Sequence, residues 1–300
     1  MIYYLLIVLS VILFGGSFWF KDIYRKKRGS GLKISMEATC IGAIAGLVIL
    51  FIVSGFSFEF TGFTLLMAFL ASLNSIAFAY CSFKALDYIN LSLFSLFAML
   101  GGMVLPFLQG ILFYSERLTL AKGACVLFIS IALALTAEKG EKKNGAPFYV
   151  GVFLLNGMAG VLSKIFTASN LPKTSSVGYS IWISITTALL SGILWLSLSL
   201  SKKHNPSSKE SINNVGSKTN RLLSYGIGAM SGAINRVANF LLVFALLYVE
   251  VSVQFPMVTG GTMIVSTLLC FLGDKKPNKK EILSVLLAFI GTLLLFIIPI

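Results

Sequence analysis

Ser92-Leu93-Phe94-Ser95-Leu96-Phe97-Ala98-Met99-Leu100-Gly101-Gly102-Met103 returns about 160 residues later, with one residue of slip, as Ser252-Val253-Gln254-Phe255-Pro256-Met257-Val258-Thr259-Gly260-Gly261-Thr262-Met263. The match extends outward from this core. Upstream, Ala85-Leu86-Asp87-Tyr88 corresponds to Ala245-Leu246-Leu247-Tyr248; downstream, Phe113-Tyr114-Ser115-Glu116 corresponds to Leu272-Gly273-Asp274-Lys275. Under the same drift Asn74 falls opposite Asn235, and Lys164 opposite Lys21. Self-similarity at one long period marks a duplicated structural unit.

Each copy sits in an apolar run of about twenty residues, the length a helix needs to cross a bilayer core of ~30 Å. Ten such runs cover the chain: 1–20, 34–54, 61–86, 91–113 and 120–135, then 147–168, 177–200, 222–248, 253–272 and 281–300. Little sequence remains for a soluble domain. With 57% hydrophobic and 12% charged residues, the composition departs from the globular norm of about a quarter charged. The first run has no basic residues before it and no small-residue cleavage site, so it reads as a transmembrane helix and not as a signal peptide.

A net charge of +13 would suggest nucleic acid in a soluble protein, but no basic aromatic-rich module accompanies it here. The charge lies instead in alternate loops. Nineteen of the 24 Lys and Arg residues, beginning with Lys21, Arg25, Lys26, Lys27, Arg28 and Lys33, fall in one set. Arg117, Lys122 and Lys173 make up the other, and Lys164 and Arg236 lie inside spans. Such asymmetry puts the first set in the cytoplasm. Both termini are then expected outside a cytoplasmic membrane that the chain crosses many times.

Five helices per copy is an odd number, so the second copy must enter the membrane inverted. The expected fold is all-α, with ten transmembrane helices in two inverted five-helix repeats. The first repeat spans residues 1–137 and the second 148–300; a cytoplasmic connector covers 138–147 and a polar loop 201–221. Inverted repeats are the layout of secondary transporters, whose site lies near the midplane between the halves.

Residues that break helices or bear charge at depth point to that site. Gly101, Gly102 and Pro106 in the fourth span, and Pro256, Gly260 and Gly261 in the ninth, occupy matched positions. Proline removes a backbone hydrogen bond, so bent helices and gates are expected there. Gly42 and Gly46, like Gly228 and Gly232, are small pairs four residues apart that let helices approach closely. Arg236 is the sharpest signal. A charge at the bilayer centre costs about 2.5–3.5 kcal/mol on insertion scales, and no carboxylate of the chain lies at that depth. An anionic group on a substrate is therefore its expected partner, with Asn235, Asn74, Asn156, Gln254 and Lys164 as further substrate contacts. Tyr80, Trp19 and Trp182 suit either the cavity wall or the interfacial belts. Glu37, one turn into the second span, favours a helix N-terminus and is also the candidate for ion coupling.

Enzyme chemistry has little support. The single His204 lies in the polar loop, and there are no Walker, HExxH or paired-carboxylate motifs. Cys40, Cys81, Cys125 and Cys270 fall in spans at no metal-like spacing, so no metal or cofactor is expected.

The run Gly110-Ile111-Leu112-Phe113-Tyr114-Ser115-Glu116-Arg117-Leu118-Thr119-Leu120-Ala121-Lys122-Gly123 resembles the end of an EamA-like repeat of the drug/metabolite transporter superfamily. In that family an acidic residue closes the fourth helix and a glycine opens the fifth. The second copy keeps the acid in Gly273-Asp274 but has Ile282 where a glycine is expected. Members are often described with cytoplasmic termini, unlike the arrangement that the charges imply here. The superfamily's small multidrug pumps rely on a glutamate in their first helix; the first and sixth spans here have no carboxylate in the core. The resemblance implies a permease that moves a small polar metabolite, such as an amino acid or organic acid, by alternating access. Its partners are the substrate and the lipid bilayer, with a homodimer left open. Efflux of amphipathic toxic compounds, a flippase for lipid-linked substrates and a membrane enzyme are the alternatives.

Overall fold

Gly29 turns the chain back at φ +98°, and its N–H closes the first helix on the Arg25 carbonyl at 2.6 Å. The helices on either side show how the rest is built. The structure, a computed structural model, describes residues 2–56, 59–114, 145–204, 218–245, 251–273 and 276–297, with isolated positions at 124, 127–128, 131–132, 135 and 248. Among these it contains α1 (Ile2–Arg28), α2 (Leu32–Val53), α3 (Gly62–Tyr88), α4 (Leu91–Tyr114), α5 (Ala146–Ala168), α6 (Ser176–His204), α7 (Lys218–Ala245), α8 (Val251–Cys270) and α9 (Lys279–Ile297). No strand occurs among the described residues. Most of the span expected over 120–135 lies outside them, so α5 to α9 correspond to the sixth to tenth spans.

Helix starts follow local chemistry. Thr61 caps α3, its hydroxyl accepting from the Thr64 N–H at 3.2 Å. Pro147 falls in the first turn of α5, where a missing N–H costs nothing. A reciprocal capping box opens α9: Asn278 Oδ1 accepts from the Glu281 N–H at 2.9 Å, and Glu281 Oε2 accepts from the Asn278 N–H at 2.8 Å. Asn90 Oδ1 caps α4 through the Leu93 N–H at 3.0 Å, and Asn90 Nδ2 donates to Glu281 Oε2 at 2.5 Å.

Three boundaries differ from the sequence reading. α1 does not stop at residue 20. It continues through Lys21, Arg25 and Arg28, because basic residues favour the C-terminal turns of a helix. The polar segment over 201–221 starts and ends as helix, with His204 inside α6 and Lys218 inside α7; residues 205–217 lie outside the described set. The expected connector is helical by Ala146.

Among the described residues, six helices, α1 to α6, are long and apolar enough to cross a membrane, the pattern of a multi-pass membrane protein. Their outer faces are apolar: Leu5, Val8 and Ile12 on α1, and Ile44, Val48 and Ile52 on α2, are exposed. Small polar residues are buried between helices. Ser10 donates to the Ala238 carbonyl at 2.8 Å, Ser72 shares a 2.5 Å hydrogen bond with Thr186, and Ser92 a 2.8 Å bond with Thr267. In an apolar solvent such bonds and close backbone packing hold helices together, since burial of apolar surface gains little there. Gly42 and Gly232 show the close approach. A methyl group on Gly232 would stand 2.5 Å from the Gly42 carbonyl oxygen.

The packing is interleaved. α1 lies along α7 and α8, α3 along α5 and α6, α4 along α5 and α8, and α2 along α6 and α7. At one end, the C-termini of α1 and α3 meet the N-termini of α2, α4 and α9 in a cluster of charged side chains. Arg25 bridges Asp22 at 2.7 Å and Asp87 at 2.6 Å, Arg28 holds Glu37 at 2.6 Å, and Ser30 donates to Asp87. This is the basic end of the bundle.

Candidate functional site

On α1, Phe14, Ser17, Phe18, Lys21 and Tyr24 recur at helical spacing and therefore share one face. On α7, Gly228, Ser231, Gly232, Asn235, Arg236 and Asn239 do the same. Together with α2, α3, α5 and α6, these faces enclose a cavity of about 530 Å³. Toward the basic end the wall closes over Tyr24 and Phe83, both buried. Toward the other end it reaches Ser163, Thr167, Ser176 and Asn239, all exposed.

The structure brings Arg236, Asn235, Asn74 and Asn156 onto this one wall. The side chain of Arg236 lies across Gly46: a Cβ there would overlap Arg236 Cγ and stand 3.2 Å from Nε. Glycine on α2 is thus what leaves room for the arginine on α7. Among the described residues, the guanidinium has no hydrogen-bond or ion-pair partner. Asn74 donates through Nδ2 to the Leu155 carbonyl at 2.9 Å, while its Oδ1 is buried with no partner among the described residues. Asn156 Nδ2 donates to the Ala98 carbonyl at 2.6 Å. Asn235 Nδ2 is 3.5 Å from Ser17 Oγ, and Asn235 Oδ1 accepts from Asn239 at 3.2 Å.

Other expected residues fall elsewhere. Lys164 is half-buried on α5 but off the wall, between the lining residues Ser163 and Thr167. The side chains of Gln254 and Pro256 lie outside the described residues. Glu37 is also off the wall, buried beneath the floor, where it accepts from Arg28 and from the Tyr24 hydroxyl at 2.9 Å. Tyr80, Trp19 and Trp182 do not line the cavity; Trp182 Nε1 donates to the Glu59 carbonyl at 2.8 Å.

Where bends are expected in α4 and α8, the structure describes continuous helix. Both helices are continuous through Pro106 and Pro256, and among the described residues of α4 it is Met99 that reaches the cavity. Gly101 faces α5 so closely that a Cβ would stand 2.6 Å from the Phe153 carbonyl carbon. Gly102 packs on Asn156, and Pro106 on Gly160. Gly261 packs on Val11 of α1, and Gly260 is buried. Gly101, Gly102 and Gly261 are sites of close helix contact, because small residues let helices meet. They are not among the described residues that line the cavity.

Sequence reasoning missed Lys21. Counted there among loop lysines, it sits on the cavity face of α1, its Nζ 5.0 Å from the Phe78 ring centroid and 5.8 and 5.9 Å from those of Phe18 and Phe94. The available signal was its spacing, three residues beyond Phe18 and four beyond Ser17. Ser17 and Tyr24 on the same face were missed for the same reason.

Neither a family model nor a curated protein sequence matches the chain. Solved structures do share its architecture. One, described only as the crystal structure of a protein, superposes with a TM-score of 0.60 at 15% identity, over 95% of this chain and 94% of its own. A likeness at that identity concerns the fold alone.

Proposed function

We propose that the chain is a secondary transporter of the EamA-like type, moving a small polar metabolite across the cytoplasmic membrane by alternating access. The observation that carries this reading is the cavity. A chamber with two cations and several amides on its wall, inside an apolar helical bundle, closed at one end and reaching the surface at the other, is what alternating access requires of a resting state.

The packing supports two inverted repeats over 1–137 and 148–300. Pair α1 with α5, α2 with α6, α3 with α7 and α4 with α8. Exchanging partners then turns the α1–α7 contact into α5–α3, α4–α5 into α8–α1, and α2–α7 into α6–α3; all of these contacts occur. The α2–α6 and α4–α8 contacts map onto themselves, as contacts across a two-fold axis must. With the basic end in the cytoplasm, both termini lie outside and the cavity faces outward.

Reconstitution tests the reading. Vesicles containing the purified protein and preloaded with unlabelled alanine, succinate and glycerol 3-phosphate should exchange at least one of these for its labelled form, and Arg236→Met should abolish that exchange. Vesicles that exchange none of the three above protein-free controls would count against transport of such metabolites.

A further inference from the structure

The charge on the cavity wall has one sign. Lys21 and Arg236 are its only charged residues among those described, and no carboxylate lines it. The acids around it are engaged elsewhere: Asp22 holds Arg25 and Lys26, Asp87 holds Arg25, Glu37 holds Arg28, and Glu59, near the exposed end, accepts from the Ser175 N–H. Lys21 lies over the rings of Phe18, Phe78 and Phe94, Arg236 lies across Gly46, and among the described residues neither has a hydrogen-bond or ion-pair partner. Two cations on one chamber wall without counter-charge are each costly to hold out of water, and an anion in the chamber offsets that cost for both.

We infer that the cavity is a dianion site, in which Lys21 on α1 and Arg236 on α7 together neutralise a small substrate with two negative charges, a dicarboxylate or a phosphate monoester. The inference rests on the transport reading for its biological sense, but its electrostatics stand without it. Arg236 supplies a planar fork for two oxygens, and Lys21 a point charge on a flexible stem. The unpaired Asn74 Oδ1 is left to accept from a substrate hydroxyl or amine. Because the two cations sit on different helices, a dianion ties α1 to α7, whereas a monoanion leaves one cation unmet.

The first arm of the test needs no knowledge of the substrate. Ser75 and Ala71 line the cavity on α3. In a background with all four cysteines replaced by serine, Ser75→Cys, or separately Ala71→Cys, is reacted with an anionic sulfonatoethyl and a cationic trimethylammonioethyl methanethiosulfonate. Relative to 2-mercaptoethanol, the ratio of anionic to cationic rates should rise at least tenfold. It should fall several-fold in Lys21→Met or Arg236→Met, and reach the level of the free thiol in the double variant. A ratio at the free-thiol level in the parent, or one the double variant leaves unchanged, overturns the inference. So does failure of both reagents to reach either cysteine.

The second arm uses thermal unfolding in detergent with succinate, glycerol 3-phosphate or uncharged succinamide. One or both dianions should raise the midpoint by several degrees, and which one does so separates the two chemistries; succinamide should not. Each single Met variant should lose the shift. No dianion-specific shift in the parent overturns the inference. If a dianion binds but vesicles do not move it, the transport reading fails and the site stands. If vesicles move only neutral or cationic compounds, and do so equally well in both Met variants, transport stands and the dianion site falls.

Discussion

The Tyr24 hydroxyl donates to Glu37 Oε1 at 2.9 Å, joining α1 to α2 directly beneath the cavity floor. Arg28 reaches the same carboxylate oxygen at 2.6 Å, with the two charged side chains 12% and 7% exposed. Tyr24 therefore belongs to the wall of the chamber and is hydrogen-bonded to the ion pair beneath it.

Removing one partner of a buried pair leaves the other charge unmet, at a cost of about 3–5 kcal/mol. Glu37→Gln should therefore lower the unfolding midpoint of the detergent-purified protein clearly. Adding Arg28→Met should recover part of the loss, since the stranded charge is then gone. Midpoints that fall further in the double variant than in the single one would show that Arg28 is held by something other than Glu37.

Gly232→Ala places a methyl group against the Gly42 backbone, which cannot yield as a side chain can. Overpacking of this kind costs about 1–3 kcal/mol, so the folded yield and thermal midpoint should both drop. Gly16→Ala is the control, because a Cβ there meets nothing within 4 Å. It should be neutral or slightly stabilising, by up to ~1 kcal/mol for a helix interior. Equal behaviour of the two variants would argue against the close α2–α7 approach.

Gly101→Ala separates packing from gating. The added methyl would meet the Phe153 backbone on α5 and not the cavity. Stability should fall while the protein that remains folded exchanges substrate at its normal rate per molecule. Unchanged stability with altered exchange would return Gly101 to the pathway.

Orientation is checked by labelling intact cells in the cysteine-free background. A cysteine replacing Ser176, exposed at the far end of the cavity, should react with an impermeant maleimide. One replacing Lys26, at the basic end, should react only after the membrane is permeabilised. The reverse pattern would turn the molecule over and make the chamber face inward.

Much of this architecture was legible in the sequence because a bilayer leaves few options: apolar runs of one length must be helices. Arg236 stood out for the same reason, since a charge deep in an apolar run needs a polar surrounding, and the structure sets it on a cavity wall. What hydropathy cannot register is the direction of a face. Lys21 closed an apolar run and was counted with the loop, although α1 continues for almost two more turns and turns that residue inward. Gly101 and Pro106 match positions of the second copy, which from sequence reads as a place to bend. Whether a glycine bends a helix or admits a neighbour depends on what lies opposite, and Phe153 is far away in the chain.

Asn90 and Glu281 have one more consequence. Asn90 starts α4, Glu281 starts α9, and the 2.5 Å bond between their side chains joins the two helix beginnings. A single carboxylate thereby serves as cap for one helix and as tether for another. Separating α4 from α9 at this end would break the Asn90 Nδ2 bond while leaving each helix its own cap, so the tether can be released without unravelling either start, like a latch between two finished posts.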